Sequence, residues 1–463
     1  MFLHHRFVPG LAIHSYMIGD EKTKEACVVD PQRDVDGYIQ EAKERGFEIK
    51  RVFLTHFHAD FVAGHLELRE RTGAEIYLGV RGDAEYAHEP MREGESVTFG
   101  DVKLAFLETP GHTPEGVCIL VYDLARDASE PHGVLTGDTL FIGDVGRPDL
   151  MASKGVSAEE LAGMMYDSLH EKLLLLPDET LVYPAHGAGS ACGKNMSSET
   201  FAKLGDQKRV NWALQPMDKA EFVKKLTSDQ RAAPTYFAYD AELNRRERKT
   251  LGESLRNSMK ALPLSALSAL PDAIVLDVRD PDEYAAGHLR GSINIALGGR
   301  YAEWAGTLLD RSKPIVLLAP AGREAEAAMR LGRIGFDQVA GFLDGGPAAV
   351  AAADPGLVRS SERIEAPAAR AEIEGEAVLF VLDVRTRAEH EQGHIEGSLN
   401  LPLDGLEAEL ERVPRDRRIL VHCRSGYRSS IAASLLERHG IEDTADLLGG
   451  YLAWEEELEA SGT

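Results

Sequence analysis

The chain has 463 residues, 43% hydrophobic and 27% charged, the balance of a globular protein too long for one core. Its net charge of −25 argues against a nucleic-acid partner and against an anionic membrane surface. It has no apolar run long enough to cross a membrane. The opening Met1-Phe-Leu-His-His-Arg lacks a signal-peptide stretch, and the four cysteines (Cys27, Cys118, Cys192, Cys423) make no disulfide framework, so a reduced, cytoplasmic setting is expected.

In chain order, strand-like runs at Ala12–Ile18 and Ala26–Val29 flank the turn Gly19-Asp20, and Cys27 reads as small core filler. Asp34 is placed to cap a helix with Val35, Tyr38, Ile39 and Ala42 at helical spacing and Gly46 at its end. The buried run Val52–Leu54 then leads into Thr55-His-Phe-His-Ala-Asp-Phe-Val-Ala-Gly-His65. His56, His58 and Asp60 alternate, so an extended backbone turns all three toward one point. Further strands are expected at Glu75–Leu78, Val97–Phe99, Val102–Leu107 and Gly116–Tyr122, the last with Cys118 in the core, and a helix over 157–176.

The same device recurs three times. His112 in Thr-Pro-Gly-His-Thr-Pro follows Leu104–Leu107, Asp138 in Thr-Gly-Asp-Thr follows Val134-Leu135, and His186 in Tyr-Pro-Ala-His-Gly follows Leu181–Tyr183. A strand ends at Pro or Gly and a metal-ligand side chain comes next, which is how loops at one end of a sheet build a converging site.

These motifs, in this order, resemble the metallo-β-lactamase fold family over roughly the first half of the chain. The resemblance implies an αββα sandwich with a metal centre. Hydrolytic members such as glyoxalase II hold a second metal partly through a histidine directly after the motif aspartate, where this chain has Phe61. A phenyl ring binds no metal, so the resemblance narrows to the persulfide dioxygenase branch. That branch implies His56, His112 and Asp138 as the ligands of one Fe(II) per chain, with zinc as the alternative. His58 and Asp60 then lie outside the first ligand set, His58 becoming a fourth ligand if the metal is zinc, and His186 lines the cavity. The segments Thr136–Asp149 and Pro184–Asn195 also resemble this branch. Arg147 either holds an acidic substrate group or ties down its own loop, and Cys192 is either a redox thiol or packing.

From Lys194 to about Ser258 the chain is polar and helical, and the basic run Asn244-Arg-Arg-Glu-Arg-Lys249 reads as a solvated helix face. Val275-Leu-Asp-Val-Arg…Gly-His-Leu-Arg-Gly-Ser-Ile-Asn294 then returns 106 positions later as Val381-Leu-Asp-Val-Arg…Gly-His-Ile-Glu-Gly-Ser-Leu-Asn400. This means two copies of a small α/β domain with a largely parallel sheet, resembling the rhodanese domain. Domains are expected at 1–258, 259–357 and 358–463.

In the second copy, Ile419-Leu-Val-His-Cys-Arg-Ser-Gly-Tyr-Arg-Ser-Ser430 places Cys423 between a strand and a helix N-terminus, with Arg424 and Arg428 adding positive charge that favours a thiolate. The resemblance implies a persulfide carried on Cys423. Tyrosine phosphatases place one residue more between their Cys and Arg, so the tighter loop here favours sulfur over phosphate. The first copy has Ala319 at the matching place, then Pro320, Glu324 and Glu326, and is expected to carry no sulfur.

Together the resemblances imply an iron-dependent dioxygenase that oxidises a low-molecular-weight thiol persulfide with oxygen to sulfite. It is fused to a sulfurtransferase that passes sulfane sulfur to sulfite, giving thiosulfate. A zinc thioester hydrolase of the glyoxalase II kind with rhodanese binding modules is the alternative. A homo-oligomer is left open.

Overall fold

The apolar runs of the first half form two six-stranded sheets. In a computed structural model that describes residues 1–150, 155–228, 230, 233–256, 258–375 and 379–461, the chain divides into two compact units. One is Met1–Glu253 with Gly332–Gly335, the other Ser254–Leu331 with Phe336–Thr463. Positions 462 and 463, expected in the second repeat copy, lie outside the described residues.

In the first unit, one sheet runs in the order Phe2–Val8, Ile13–Gly19, Glu25–Val29, Glu48–Leu54, Glu75–Gly79, Glu89–Met91. The other runs Ala202–Lys203, Leu181–Pro184, Gly133–Gly137, Val117–Asp123, Val102–Glu108, Ser96–Phe99. Tyr16, Ile18, Cys27, Val29 and Phe53 of the first sheet meet Phe106, Val117, Ile119 and Leu135 of the second in one buried core. The outer face of the second sheet packs Leu120, Val134 and Val182 under Met165 and Leu169 of the helix Ala158–Glu171 and Phe222 of the helix Lys219–Thr227. This is the expected αββα sandwich. Cys27 and Cys118 are fully buried, and burial pushes their thiols up to about 12 and about 11, as suits inert core residues.

Asp34 does not cap the first helix. That helix is Asp36–Arg45 and starts after Val35, while the Asp34 carboxylate accepts from Gln32 Nε2 at 3.0 Å. Gly46 ends it as expected, with φ of 70° in the left-handed region. The two sheets are tied at the end where the ligand-type residues gather. Val117 N–H donates to Thr55 O (2.9 Å) and His14 N–H to Ala185 O (2.7 Å), while the bond from Ala185 N–H to Gly137 O (2.9 Å) joins two strand ends within the second sheet.

The second unit holds both repeat copies. Each has a five-stranded sheet that is parallel throughout, ordered Ala261–Leu262, Val339–Leu343, Ile315–Leu318, Ile274–Asp277, Ile293–Asn294 in the first. The second is ordered Glu362–Ile364, Thr444–Leu447, Arg418–His422, Leu379–Asp383, Leu399–Asn400. In both, the Asp of Asp-Val-Arg pairs with its own Arg, Asp277 with Arg279 (2.6 Å) and Asp383 with Arg385 (2.7 Å), which explains why this tripeptide repeats. Among the described residues no helix is long and apolar enough to cross a membrane.

Candidate metal centre and cysteine loop

His56, His112 and Asp138 converge with their ligand atoms within 4.8 Å of one another, all buried. Asp138 Oδ2 lies 3.3 Å from His112 Nε2 and 3.8 Å from His56 Nε2. Hydrogen bonds behind the rings decide what these nitrogens carry. His112 Nδ1 faces the Arg147 carbonyl at 2.8 Å, which only accepts, so Nδ1 holds the proton and Nε2 a lone pair. Thr55 gives its one hydroxyl hydrogen to Asp30 Oδ2 (2.8 Å), so its oxygen accepts from His56 Nδ1 (3.0 Å), and His56 Nε2 is likewise bare. Two imidazole lone pairs and a carboxylate oxygen therefore face each other, buried and without hydrogen-bond partners among the described residues. That arrangement is repulsive as it stands, and a cation resolves it. Burial would push the Asp138 carboxyl up, but the neighbouring His186, the ring raised toward its charged form, leads the groups that outweigh it and hold it well below the carboxylate range. Burial and the neighbouring His58 keep His56 neutral, as a ligand must be.

His186 sits behind this trio, with Nδ1 2.7 Å from Asp138 Oδ1 and Nε2 2.8 Å from Asp60 Oδ2. Burial disfavours its charge, yet the two carboxylates outweigh that and raise it well above the usual histidine value. His58 Nε2 lies 3.0 Å from Asp30 Oδ1, and the Phe61 ring packs on His58 with centroids 4.3 Å apart. His58, Asp60 and His186 nevertheless form a second group within 4.8 Å, and Asp138, His186 and Cys192 a third. Gly146 makes the close approach workable, since a Cβ there would stand 2.1 Å from Asp138 O and 3.0 Å from His112 Nδ1.

In the second unit, Cys423 is buried at the end of its strand. Its sulfur accepts from Gly426 N–H (3.1 Å) and from the Ser429 hydroxyl (3.5 Å), both at the start of the helix Tyr427–Arg438. Gly450 allows the last helix to abut this loop, for a Cβ there would lie 2.5 Å from Cys423 O.

Comparison with known proteins places this geometry. A model of the metallo-beta-lactamase superfamily matches residues 8–186, and a rhodanese-like domain model matches 262–353 and 365–457. The mitochondrial persulfide dioxygenase ETHE1 of Bos taurus is 32% identical over 192 residues, 40% of this chain and 68% of that protein. A metallo-beta-lactamase of Staphylococcus aureus subsp. aureus COL, solved by crystallography, is 32% identical with a TM-score of 0.66, covering 74% of this chain and 98% of that one. The chain belongs to the metallo-beta-lactamase superfamily, with two rhodanese-like domains following. A hydroxyacylglutathione hydrolase of Rhizobium etli is 34% identical over 173 residues, 37% of this chain and 60% of that protein.

Several groups around the superfamily fold's cluster escape a motif reading. Asp30, at φ of 50° directly after its strand, accepts from Thr55 N–H (2.8 Å) and the Thr55 hydroxyl and so fixes the His56 tautomer. Asn244 opens the run taken for a solvated helix face, yet it is fully buried. Its amide donates to His58 O and Phe61 O (2.8 Å each) and accepts from Ala63 N–H (2.8 Å). Arg248 of the same run pairs with buried Glu67. That expectation is corrected: the helix Phe237–Leu243 ends before the run, residues 244–249 are turn and irregular chain, and tertiary packing turns Asn244 and Arg248 inward. Arg147 grips Asp149 through two 2.7 Å bonds and reaches Ala191 O (3.3 Å), so here it ties its loop.

In the cysteine loop the charge expectation also changes. Arg428 is held by Glu389 through two 2.7 Å bonds, so its charge is matched, and Arg424 is exposed. Burial opposes ionisation of Glu389, but Arg428 outweighs it and lowers the group to about 2. Arg363 also lies against the loop, 3.3 Å from where a Gly426 Cβ would sit, and is bonded to Asp446 (3.0 Å) and Asp282. The repeated Glu283/Glu389 position was the available signal for the first pair. Arg363 and Asp446 come together only through strand order.

Proposed function

We propose that the first domain is an iron-dependent persulfide dioxygenase and that Cys423 carries sulfane sulfur for a coupled transfer to sulfite. The observation that carries the first part is the trio of bare, buried donor atoms of His56, His112 and Asp138, two imidazoles and one carboxylate gathered within 4.8 Å of one another. Phe61 and the persulfide dioxygenase relatives support the same reading. Domains at 1–258, 259–357 and 358–463 divide the work, in a reduced cytoplasmic setting.

The trio would hold the ion, and Fe(II) bound there supplies the redox reaction with oxygen that side chains lack. The chain's own groups do the rest. Arg147 O and Thr55 fix the two ring tautomers, and His186 with its carboxylates offers a proton reservoir beside Asp138. Cys192, with its thiol pushed well up by burial and then by Asp60 and Asp138, stays protonated beside Asp138 and His186. The balance is one persulfide R–S–SH, one O2 and one water giving R–SH, sulfite and two protons. A second persulfide transfers its outer sulfur to Cys423, releasing R–SH. Sulfite then attacks that sulfur, the S–S bond breaks, thiosulfate leaves, and the Cys423 thiolate returns.

A zinc thioester hydrolase is the reading to beat, and the His58, Asp60 and His186 group is what favours it. Protein purified without oxygen should contain about one iron per chain and consume oxygen on addition of a low-molecular-weight persulfide. Two zinc ions per chain with thioester hydrolysis, and no oxygen uptake, would overturn the proposal.

A further inference from the structure

Cys192 sits in a segment without regular structure, between the strand Leu181–Pro184 and the strand Ala202–Lys203. Such a length of irregular chain has few intrinsic reasons to hold one shape. Yet the Cys192 sulfur is buried within 4.8 Å of ligand atoms of Asp138 and His186. What fixes it is the segment after Asp138. Arg147 N–H donates to Cys192 O (3.0 Å) and Ser197 N–H to Ile142 O (2.9 Å). The side chain of Asp144 does more. Its Oδ2 accepts from both Lys194 N–H and Asn195 N–H (2.8 Å each), and its Oδ1 from Trp212 Nε1–H (2.9 Å). Asn211 closes the back by donating to Phe141 O (3.2 Å) and Asp144 O (3.1 Å).

Three N–H groups thus converge on one buried carboxylate, two of them from Lys194 and Asn195, which follow the thiol two and three places along the chain. We propose that Asp144 is a positioning residue for Cys192. It pins the turn after the cysteine to the same segment that carries Asp138 and, through Arg147 O, orients His112. The thiol, the carboxylate and the imidazole are therefore set by one short stretch of chain, and the sulfur is held inside the site instead of swinging out with its loop. The importance of this to catalysis rests on the function proposed above, but the clamp itself does not.

An amide cannot replace this carboxylate. Asn at 144 keeps the volume but offers one acceptor oxygen, so its NH2 must face at least one of the three N–H donors. Trp212→Phe removes only the third bond. In full-length protein carrying Cys423→Ser, alkylation by iodoacetamide followed cysteine by cysteine with mass spectrometry reads the clamp directly. Asp144→Asn should raise the Cys192 rate about tenfold, equivalent to roughly 1.4 kcal/mol of easier local opening, and Trp212→Phe should raise it about threefold. Cys27 and Cys118 should stay at their parental rates in both. An unchanged Cys192 rate overturns the proposal. So does a parallel rise at Cys27 and Cys118, which would mean general loosening. Should Asp144→Asn not fold, the Trp212→Phe comparison decides alone. If the function reading fails but the clamp is right, oxygen uptake is absent while the selective rise at Cys192 remains.

Discussion

Single residues here act mostly by fixing the protonation of their neighbours. Asp30 orients Thr55, Thr55 orients His56, and the Arg147 carbonyl orients His112, so the bare nitrogens follow from atoms that would never touch a metal. Asp446 shows the same principle with a measurable consequence. It is almost fully buried, and burial raises its carboxyl to about 6 although Ser429 and Arg363 oppose this and Asp282 adds to it. A raised acid favours the protonated folded state. Its contribution is therefore fully present below the unfolded carboxyl value, about 3.9, and is lost as pH rises through about 6. Asp446→Asn removes that dependence. Urea midpoints for the second unit should show the variant gaining on the parent between pH 4.5 and pH 7.5, and a constant difference would refute the assignment.

At the scale of elements, the strands bring ligand-type residues to one end of the sandwich, but it takes packed segments from elsewhere to hold the loops that carry them. The stretch at Asn244, far along the chain, satisfies three backbone groups of the His58–Ala63 loop with one amide. Asn244→Ala leaves those buried groups unmet, at a cost of about 1–3 kcal/mol. Metal affinity should fall about 10- to 100-fold by competition with a chelator, as is usual when the support of a ligand is removed. Unaltered affinity would make Asn244 a purely structural residue. The helix Tyr427–Arg438 is braced in a comparable way by the first rhodanese-like copy. The Tyr427 hydroxyl donates to Ala296 O (2.8 Å), Ser430 donates to Asn294 Oδ1 (2.8 Å), Ser434 accepts from Asn294 N–H (3.0 Å), and Glu437 lies 2.8 Å from His288 Nε2. These positions recur every three or four residues along one helix face, so the copy without a cysteine supports the helix at the base of the cysteine loop.

For the whole molecule, the proposed chemistry divides between the trio His56, His112 and Asp138 in the first domain and a sulfur carrier at Cys423. Cys423→Ser should leave iron content and oxygen uptake intact, because a serine hydroxyl cannot hold sulfane sulfur and lies in a separate domain. With excess persulfide the parent should release thiosulfate and the variant sulfite, measured by ion chromatography after one reaction. Unchanged thiosulfate would remove the second copy from the transfer, and loss of oxygen uptake would show that the domains do not act independently.

The sequence alone was enough for the αββα sandwich, the repeated small domains and the gathering of His56, His58, Asp60, His112, Asp138 and His186. Each of these rests on local patterns: an apolar strand, a Pro or Gly stop, a ligand-type side chain, or a repeat at fixed distance. What it did not contain is how buried groups pair across long separations. Asn244 with His58 O, Asp144 with Lys194 and Asn195, Arg428 with Glu389 and Arg363 with Asp446 are decided by which strands and loops become neighbours. A polar side chain on a helical or turn pattern looks solvated until packing removes the water around it. Only then must it find a partner, and the partner it finds sets the orientation of the groups that do the chemistry.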